Sequence, residues 1–199
     1  LKAVLGLVPK ASGTAAIFGK PVSEQRDAIA YVPQRASVDW DFPATAADVV
    51  AMGLYRKIGW LKPVRAYDRA SAQKYLEMVR LSEFADRQIG ALSGGQQQRV
   101  FLARALAQQA KVFLLDEPFA GVDAVTEGVM TKVFRDLREA GALVIAVHHD
   151  LSSVKEIFDY VVLLNRELIA NGPVRTTFTP DNIARTYGVP LSLTGNCNA

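Results

Sequence analysis

Two continuous apolar runs, Val112-Phe113-Leu114-Leu115 and Leu143-Val144-Ile145-Ala146-Val147, constrain this chain more than anything else in it. Neither alternates apolar with polar residues, as a strand with one wet face would. Each therefore reads as a strand buried on both faces, the habit of a parallel sheet covered by helices. Shorter runs at 14–18, 28–32, 160–164 and 167–170 add further strands. Helical patterns occupy 68–81, 96–109, 125–140 and 151–157, and in the second of these Val100, Ala103, Leu106 and Ala110 recur on one face. Strands alternating with helices predict an α/β fold with a mostly parallel sheet.

The rhythm breaks once. Between residues 37 and 91 the strand pattern stops, and helical stretches are interrupted by Pro43, Gly53, Gly59 and Pro63. This segment reads as a helical insert, a subdomain at 37–91 within a core formed by 1–36 and 92–170. Residues 171–199 form a less regular C-terminal extension. A chain of 199 residues buries about 70% of its unfolded surface, so it needs no staple. Its one cysteine, Cys197, has no partner for a disulfide, which fits a reducing compartment. No apolar run approaches the ~20 residues that span a bilayer. The 23 basic and 20 acidic residues are interspersed rather than clustered, which argues against a nucleic-acid footprint.

Candidate chemistry sits where strands end and helices begin. Leu92-Ser93-Gly94-Gly95-Gln96 closes the insert and opens a helix. Ser93 is a natural N-cap, and the two glycines let backbone N–H groups approach a ligand at the positive end of the helix dipole. Sixteen residues past Gln96 begins the strand that ends in Asp116-Glu117-Pro118. Open α/β sheets bind ligands at the carboxyl ends of their strands. There Asp116 is placed to hold Mg²⁺, and Glu117 to act as general base on a water. Gln34 follows the strand at 28–32, where its amide suits a metal or an attacking water. His149 follows the strand at 143–147, and Asp123 lies six residues past Glu117. Singly these are a loop amide, a surface histidine and a helix cap; in this order they form a set.

That set resembles the nucleotide-binding subunit of an ABC transporter over nearly the whole chain. Leu92 to Gln96 matches the family signature, and Val112 to Glu117 the Walker B strand with its catalytic glutamate. Gln34 falls on the Q-loop, Asp123 on the D-loop and His149, followed by Asp150, on the switch histidine. The resemblance implies a P-loop NTPase-type sheet with a helical subdomain. It also implies ATP and Mg²⁺ as cofactors and a homodimer in which Ser93, Gly94, Gly95 and Gln96 meet the partner's nucleotide. The remaining implied partners are membrane permease subunits and, through them, a substrate-binding protein, at the cytoplasmic face of the membrane. One expected motif is missing: no G-x-x-x-x-G-K-[ST] phosphate loop occurs. Gly13 and Gly19-Lys20 are spaced wrongly, with Pro21 in place of Ser or Thr. Leu1 to Leu7 resembles the helix that follows this loop, so the expectation is a fragment that lacks the first strands and the loop. A soluble ABC ATPase of DNA repair or translation, or a degenerate cassette, are the rival readings.

The likeness narrows further. Tyr31-Val32-Pro33-Gln34-Arg35 with Val38-Asp39-Trp40-Asp41-Phe42-Pro43 resembles importers of manganese, zinc or ferrous iron, as do Asp48 to Gly53 and His148 to Leu151. The Asp-Trp-Asp stretch lacks His or Cys at ligand spacing, so Trp40 and Phe42 read as apolar anchors for a membrane subunit.

Overall fold

The computed structural model describes residues 1–55, 59 and 66–188. They fall into two compact units, Leu1–Val147 and His148–Ala199.

The first unit is built on a three-stranded parallel sheet of β3 (Ile29–Val32), β4 (Val112–Asp116) and β5 (Leu143–Val147), with β4 in the middle. Val32 pairs with Leu115, and Asp116 with Val147. Parallel pairing aligns the carboxyl ends of all three strands along one edge. In β4, Val112, Phe113, Leu114 and Leu115 are buried on both faces, as their apolar run predicts. β5 departs from the expectation. Val144 and Ala146 pack toward the core, but Leu143 is 54% exposed and Ile145 42%. Among the described residues β5 pairs with β4 alone, and the face that carries Leu143 and Ile145 is left to solvent.

Before the sheet, the strand expected at 14–18 shrinks to β1 (Ala16–Ile17), which pairs antiparallel with β2 (Lys20–Pro21). Phe18 and Gly19 between them both take positive φ, 52° and 73°, the two-residue turn whose twist suits a hairpin. Gly19-Lys20 thus belongs to a hairpin, not to a phosphate loop. Leu1 to Leu7 forms hydrogen-bonded turns rather than the expected helix, closed by Leu5 N to Leu1 O at 3.2 Å and Leu7 N to Lys2 O at 2.9 Å.

Four longer helices follow: α1 (Ala46–Met52), α2 (Ala66–Met78), α3 (Gly94–Ala107) and α4 (Ala124–Glu139). Val50 of α1, Leu76 of α2, Leu102 of α3 and Met130 of α4 share one buried cluster with Val32, Phe113 and Leu115 of the sheet. α2 stops short of the expected residue 81 because Arg80 turns to φ 56° and Leu81 N bonds back to Leu76 O, a tight C-terminal closure. α1 starts on a reciprocal cap. Asp48 N donates to Thr45 Oγ1 at 3.1 Å, and Thr45 N donates to Asp48 Oδ2 at 3.1 Å. The Thr45 hydroxyl bond also holds the Asp48 carboxyl below its usual pKa, with Arg69 adding to it. A carboxyl so lowered stabilises the fold above the ordinary carboxylate range and loses that contribution as pH falls through its folded value. Thr45→Ala is expected to cost about 1 kcal/mol at neutral pH, and the gap from wild type should narrow below pH ~4. Urea denaturation at the two pH values checks both statements.

The second unit pairs β6 (Tyr160–Asn165) with β7 (Glu167–Pro173) and adds α5 (Val154–Ile157), α6 (Val174–Thr177) and α7 (Pro180–Tyr187). Its core is Val154, Leu163, Val174, Phe178 and Ile183. α5 is shorter than the expected 151–157, because the Asp150 side chain accepts from Ser152 N at 3.0 Å and holds the approach as a turn. Cys197 lies outside the described residues.

Candidate functional site

The sheet edge assembles the first group. Val32 lies opposite Leu115, so the two chains leave the sheet side by side, Gln34 after β3 and Asp116-Glu117 at the end of β4. Gln34 Nε2 donates to Glu117 Oε2 at 3.0 Å, between residues 83 apart in sequence. Tyr31 donates its hydroxyl to Asp116 Oδ2 at 3.3 Å. Burial, and then the Asp116 charge and its hydrogen bond, push the Tyr31 hydroxyl up to about 12. It therefore stays a neutral donor at physiological pH. Glu117 has φ 51°, a left-handed conformation rare for a residue with a long side chain. Such backbone costs about 1–3 kcal/mol and clusters at working sites. Pro118, fully buried behind it, locks the strand exit. The local result is two carboxylates at a sheet edge, each held by a neighbour on β3 or just beyond it.

The second group is the N-terminus of α3. Ser93 Oγ accepts from Gln96 N at 3.3 Å, while Gln96 Oε1 accepts from Ser93 N at 2.8 Å. This reciprocal box fixes the first turn. Each glycine also has a side chain close against it. A Cβ on Gly94 would stand 3.0 Å from Arg35 Cζ, and one on Gly95 would stand 3.0 Å from Thr126 Oγ1. Asp123 caps α4, accepting from Thr126 N at 2.7 Å, and that bond is the main reason its carboxyl is held below the usual range.

His149 lies in the second unit. Its neighbour His148 is committed to local structure, with Nε2 2.8 Å from Ser153 Oγ and its ring 5.3 Å from that of Phe158. Trp40, expected as an apolar anchor for a membrane subunit, is half-buried. It meets Phe101 edge-on at 5.0 Å and donates Nε1 to Arg35 O at 3.0 Å. Phe42, 54% exposed, is the open member of the pair.

A family model described as ABC transporter matches residues 1–120. The chain belongs to the ABC transporter family. It is 50% identical, over 98% of its length and 73% of the relative's, to the zinc transport system ATP-binding protein TroB of Treponema pallidum. It is also 51% identical, over 96% of its length and 77% of the relative's, to the manganese transport system ATP-binding protein MntB of Bacillus subtilis. Among solved structures, an ABC transporter in an inward-facing conformation superposes with a TM-score of 0.80 at 26% identity, over 95% of this chain and 72% of that one. The expected fold class stands: a mixed α/β cassette with a parallel sheet. As a member of the ABC transporter family the chain is by class an ATPase that binds nucleotide.

Some residues near the candidate site escaped the sequence. Tyr31 reads as an ordinary strand residue, and only the register reveals its hydroxyl on Asp116. Arg104 is largely buried over the Phe101 ring at 4.3 Å, and burial lowers its pKa. A basic residue amid a helical face gave no signal of either contact.

Proposed function

We propose that this chain is the ATP-hydrolysing subunit that powers import of a divalent metal ion, manganese or zinc in the first place and ferrous iron in the third. The observation that carries the hydrolytic part is the Gln34–Glu117 hydrogen bond beside Asp116 at the strand ends. The amide orients the carboxylate, and the carboxylate takes the proton of the attacking water. The cargo rests on relatives that carry manganese or zinc transport in their names and on the resemblance of residues 31–43.

The residues fit Mg²⁺. Among the described residues no group of three or more His, Cys, Asp or Glu side chains could hold a metal alone. Mg²⁺ seldom needs one: it takes one or two carboxylates and fills its shell with phosphate oxygens and water. Asp116 and the Gln34 amide oxygen are hard donors of that kind. The ion, when bound, neutralises phosphate charge. Fit to ATP is partial. The capped turn at Ser93 to Gln96 offers a helix N-terminus for phosphate, whereas the sequence contains no phosphate loop. The reading is therefore of a composite site. Two copies face each other about a two-fold axis, each lending Ser93, Gly94, Gly95 and Gln96 to the nucleotide held by the other. Asp123, at the cap of α4, would stand at that contact. His149 is assigned to the developing phosphate charge, on the resemblance of the pair His149-Asp150 to the family's switch. The segment 37–91 acts as the helical subdomain of the core 1–36 and 92–170, and 171–199 as its C-terminal extension.

Among the described residues no helix is long and apolar enough to cross a membrane. The family resemblance assigns the passage to separate permease subunits, with this chain at their cytoplasmic face and a substrate-binding protein on the far side. Phe42 stands at a groove of about 180 Å³ lined by Trp40, Val49, Met52, Phe101 and Arg104, the surface assigned to the permease. Phe42→Ala is expected to lower recovery of the permease with this chain by about tenfold, the loss of one aromatic anchor, with little change in stability. Trp40→Ala should instead cost about 2 kcal/mol, because it leaves a hole against Phe101, while Arg35 O keeps the bond it accepts from Val38 N at 3.2 Å. Co-purification and denaturation together separate the two. Cells deprived of this chain should lose most uptake of radiolabelled manganese or zinc. Undiminished uptake of both metals would contradict the assigned cargo.

A further inference from the structure

Gln34 and Arg35 are neighbours in sequence, yet their side chains go to opposite parts of the site. Gln34 bonds Glu117 at the end of β4. Arg35 Nε donates to Gln97 Oε1 at 3.0 Å, in the first turn of α3, and its guanidinium lies against Gly94 so closely that any Cβ there would meet it at 3.0 Å. Gln97 is itself fixed, 3% exposed, with Nε2 donating to Ile89 O at 3.1 Å. Arg35 is held from behind, where its carbonyl accepts from Trp40 Nε1 and its guanidinium stands 5.9 Å from the centre of the Trp40 ring. One peptide bond thus joins a contact on the general base to a contact on the turn Ser93-Gly94-Gly95.

The placement is electrostatically odd. A cation at a helix N-terminus opposes the dipole and costs stability. A fold would shed it unless the side chain served some other end, and its exposure shows that it is not there to fill a core. A lysine would keep the charge. It could not bond Gln97 through Nε while laying a flat surface on Gly94, because that takes the planar fork of a guanidinium.

We propose that Arg35 is a positioning residue for ATP hydrolysis: it holds the Ser93-Gly94-Gly95 turn in register with the Gln34–Glu117 pair, so that the parts one chain contributes to the two nucleotide sites of the pair move as one. It touches neither water nor nucleotide and acts through Gln97 and Gly94. This inference rests on the ATPase reading above.

The test uses the assembled transporter, with Glu117→Gln as the control for that reading. If Glu117→Gln hydrolyses ATP like wild type, the ATPase assignment fails, and this inference with it. With that control inactive, Arg35→Ala and Arg35→Lys are each expected to lower kcat about tenfold, since small misplacements of a reacting group are costly. The KM for ATP should stay within about threefold of wild type and the thermal midpoint within a few degrees, because Arg35 is exposed. A lysine variant with kcat within about twofold of wild type would overturn the positioning role, since charge alone would then suffice. The double variant Arg35→Ala with Gln97→Ala should fall no further than the worse single variant, as for two residues in one contact. A loss equal to the product of the single losses would show that the two act independently, and would overturn the proposal.

Discussion

Replacing Glu117 by glutamine is expected to slow ATP hydrolysis about 10²–10⁴-fold in the assembled transporter, the usual loss when a general base is removed. Nucleotide binding should persist. The substitution preserves shape and leaves the unusual backbone at φ 51° and the buried Pro118 behind it in place. What changes is the one atom group able to take a proton from water. The partner contact changes as well, since Gln34 Nε2 now donates to a carboxylate oxygen at 3.0 Å, and an amide pair can still satisfy that bond by turning. The loss should therefore appear in the chemical step and not in stability. Single-turnover hydrolysis measures it, and a fall of less than about threefold would remove Glu117 from the role of base.

The second large effect concerns the 199-residue chain by itself. It should bind Mg·ATP no tighter than about millimolar, some 10³-fold weaker than micromolar. The charge of the triphosphate has two sources of compensation here: Mg²⁺ and the amides at the start of α3. A helix N-terminus contributes about 0.3–2 kcal/mol, against the roughly 8 kcal/mol that micromolar binding requires. The one stretch with glycines and a lysine near phosphate-loop spacing is the β1–β2 hairpin, whose Phe18-Gly19 turn points its backbone to a strand partner. Pairing two such chains supplies two Ser93 turns and still no loop. Calorimetry with Mg·ATP checks this, and micromolar affinity would mean that another segment cradles the phosphates.

What could be read from the sequence follows from which forces are local. The buried run of β4 and the cap at Ser93 are set by neighbours a few residues away, so their pattern was visible in the chain. The carboxyl ends of β3 and β4 were legible for the same reason, and with them Gln34, Asp116 and Glu117 as candidates. Their pairing was not, because it depends on the register of Val32 against Leu115 across more than eighty residues. A strand covered on one face can look like one covered on both in composition, so Leu143 and Ile145 read as buried although the face that carries them is open among the described residues. The half-burial of Trp40 was hidden for a related reason. An aromatic beside a functional loop can face a partner or its own core, and the choice rests on Phe101, which arrives from another helix. Arg35 entered only as the end of a run that resembles the importers, since one arginine after a glutamine carries no periodicity. Its meaning lies in Gln97 and Gly94.

The most direct measurement is ATP hydrolysis and metal uptake followed together in vesicles that hold the assembled transporter, with manganese or zinc outside and a substrate-binding protein present. Wild type is expected to accumulate metal only with ATP, and Glu117→Gln to lose hydrolysis and uptake in the same proportion. Uptake that persists in the Glu117→Gln transporter, or hydrolysis that continues at the wild-type rate, would contradict the account.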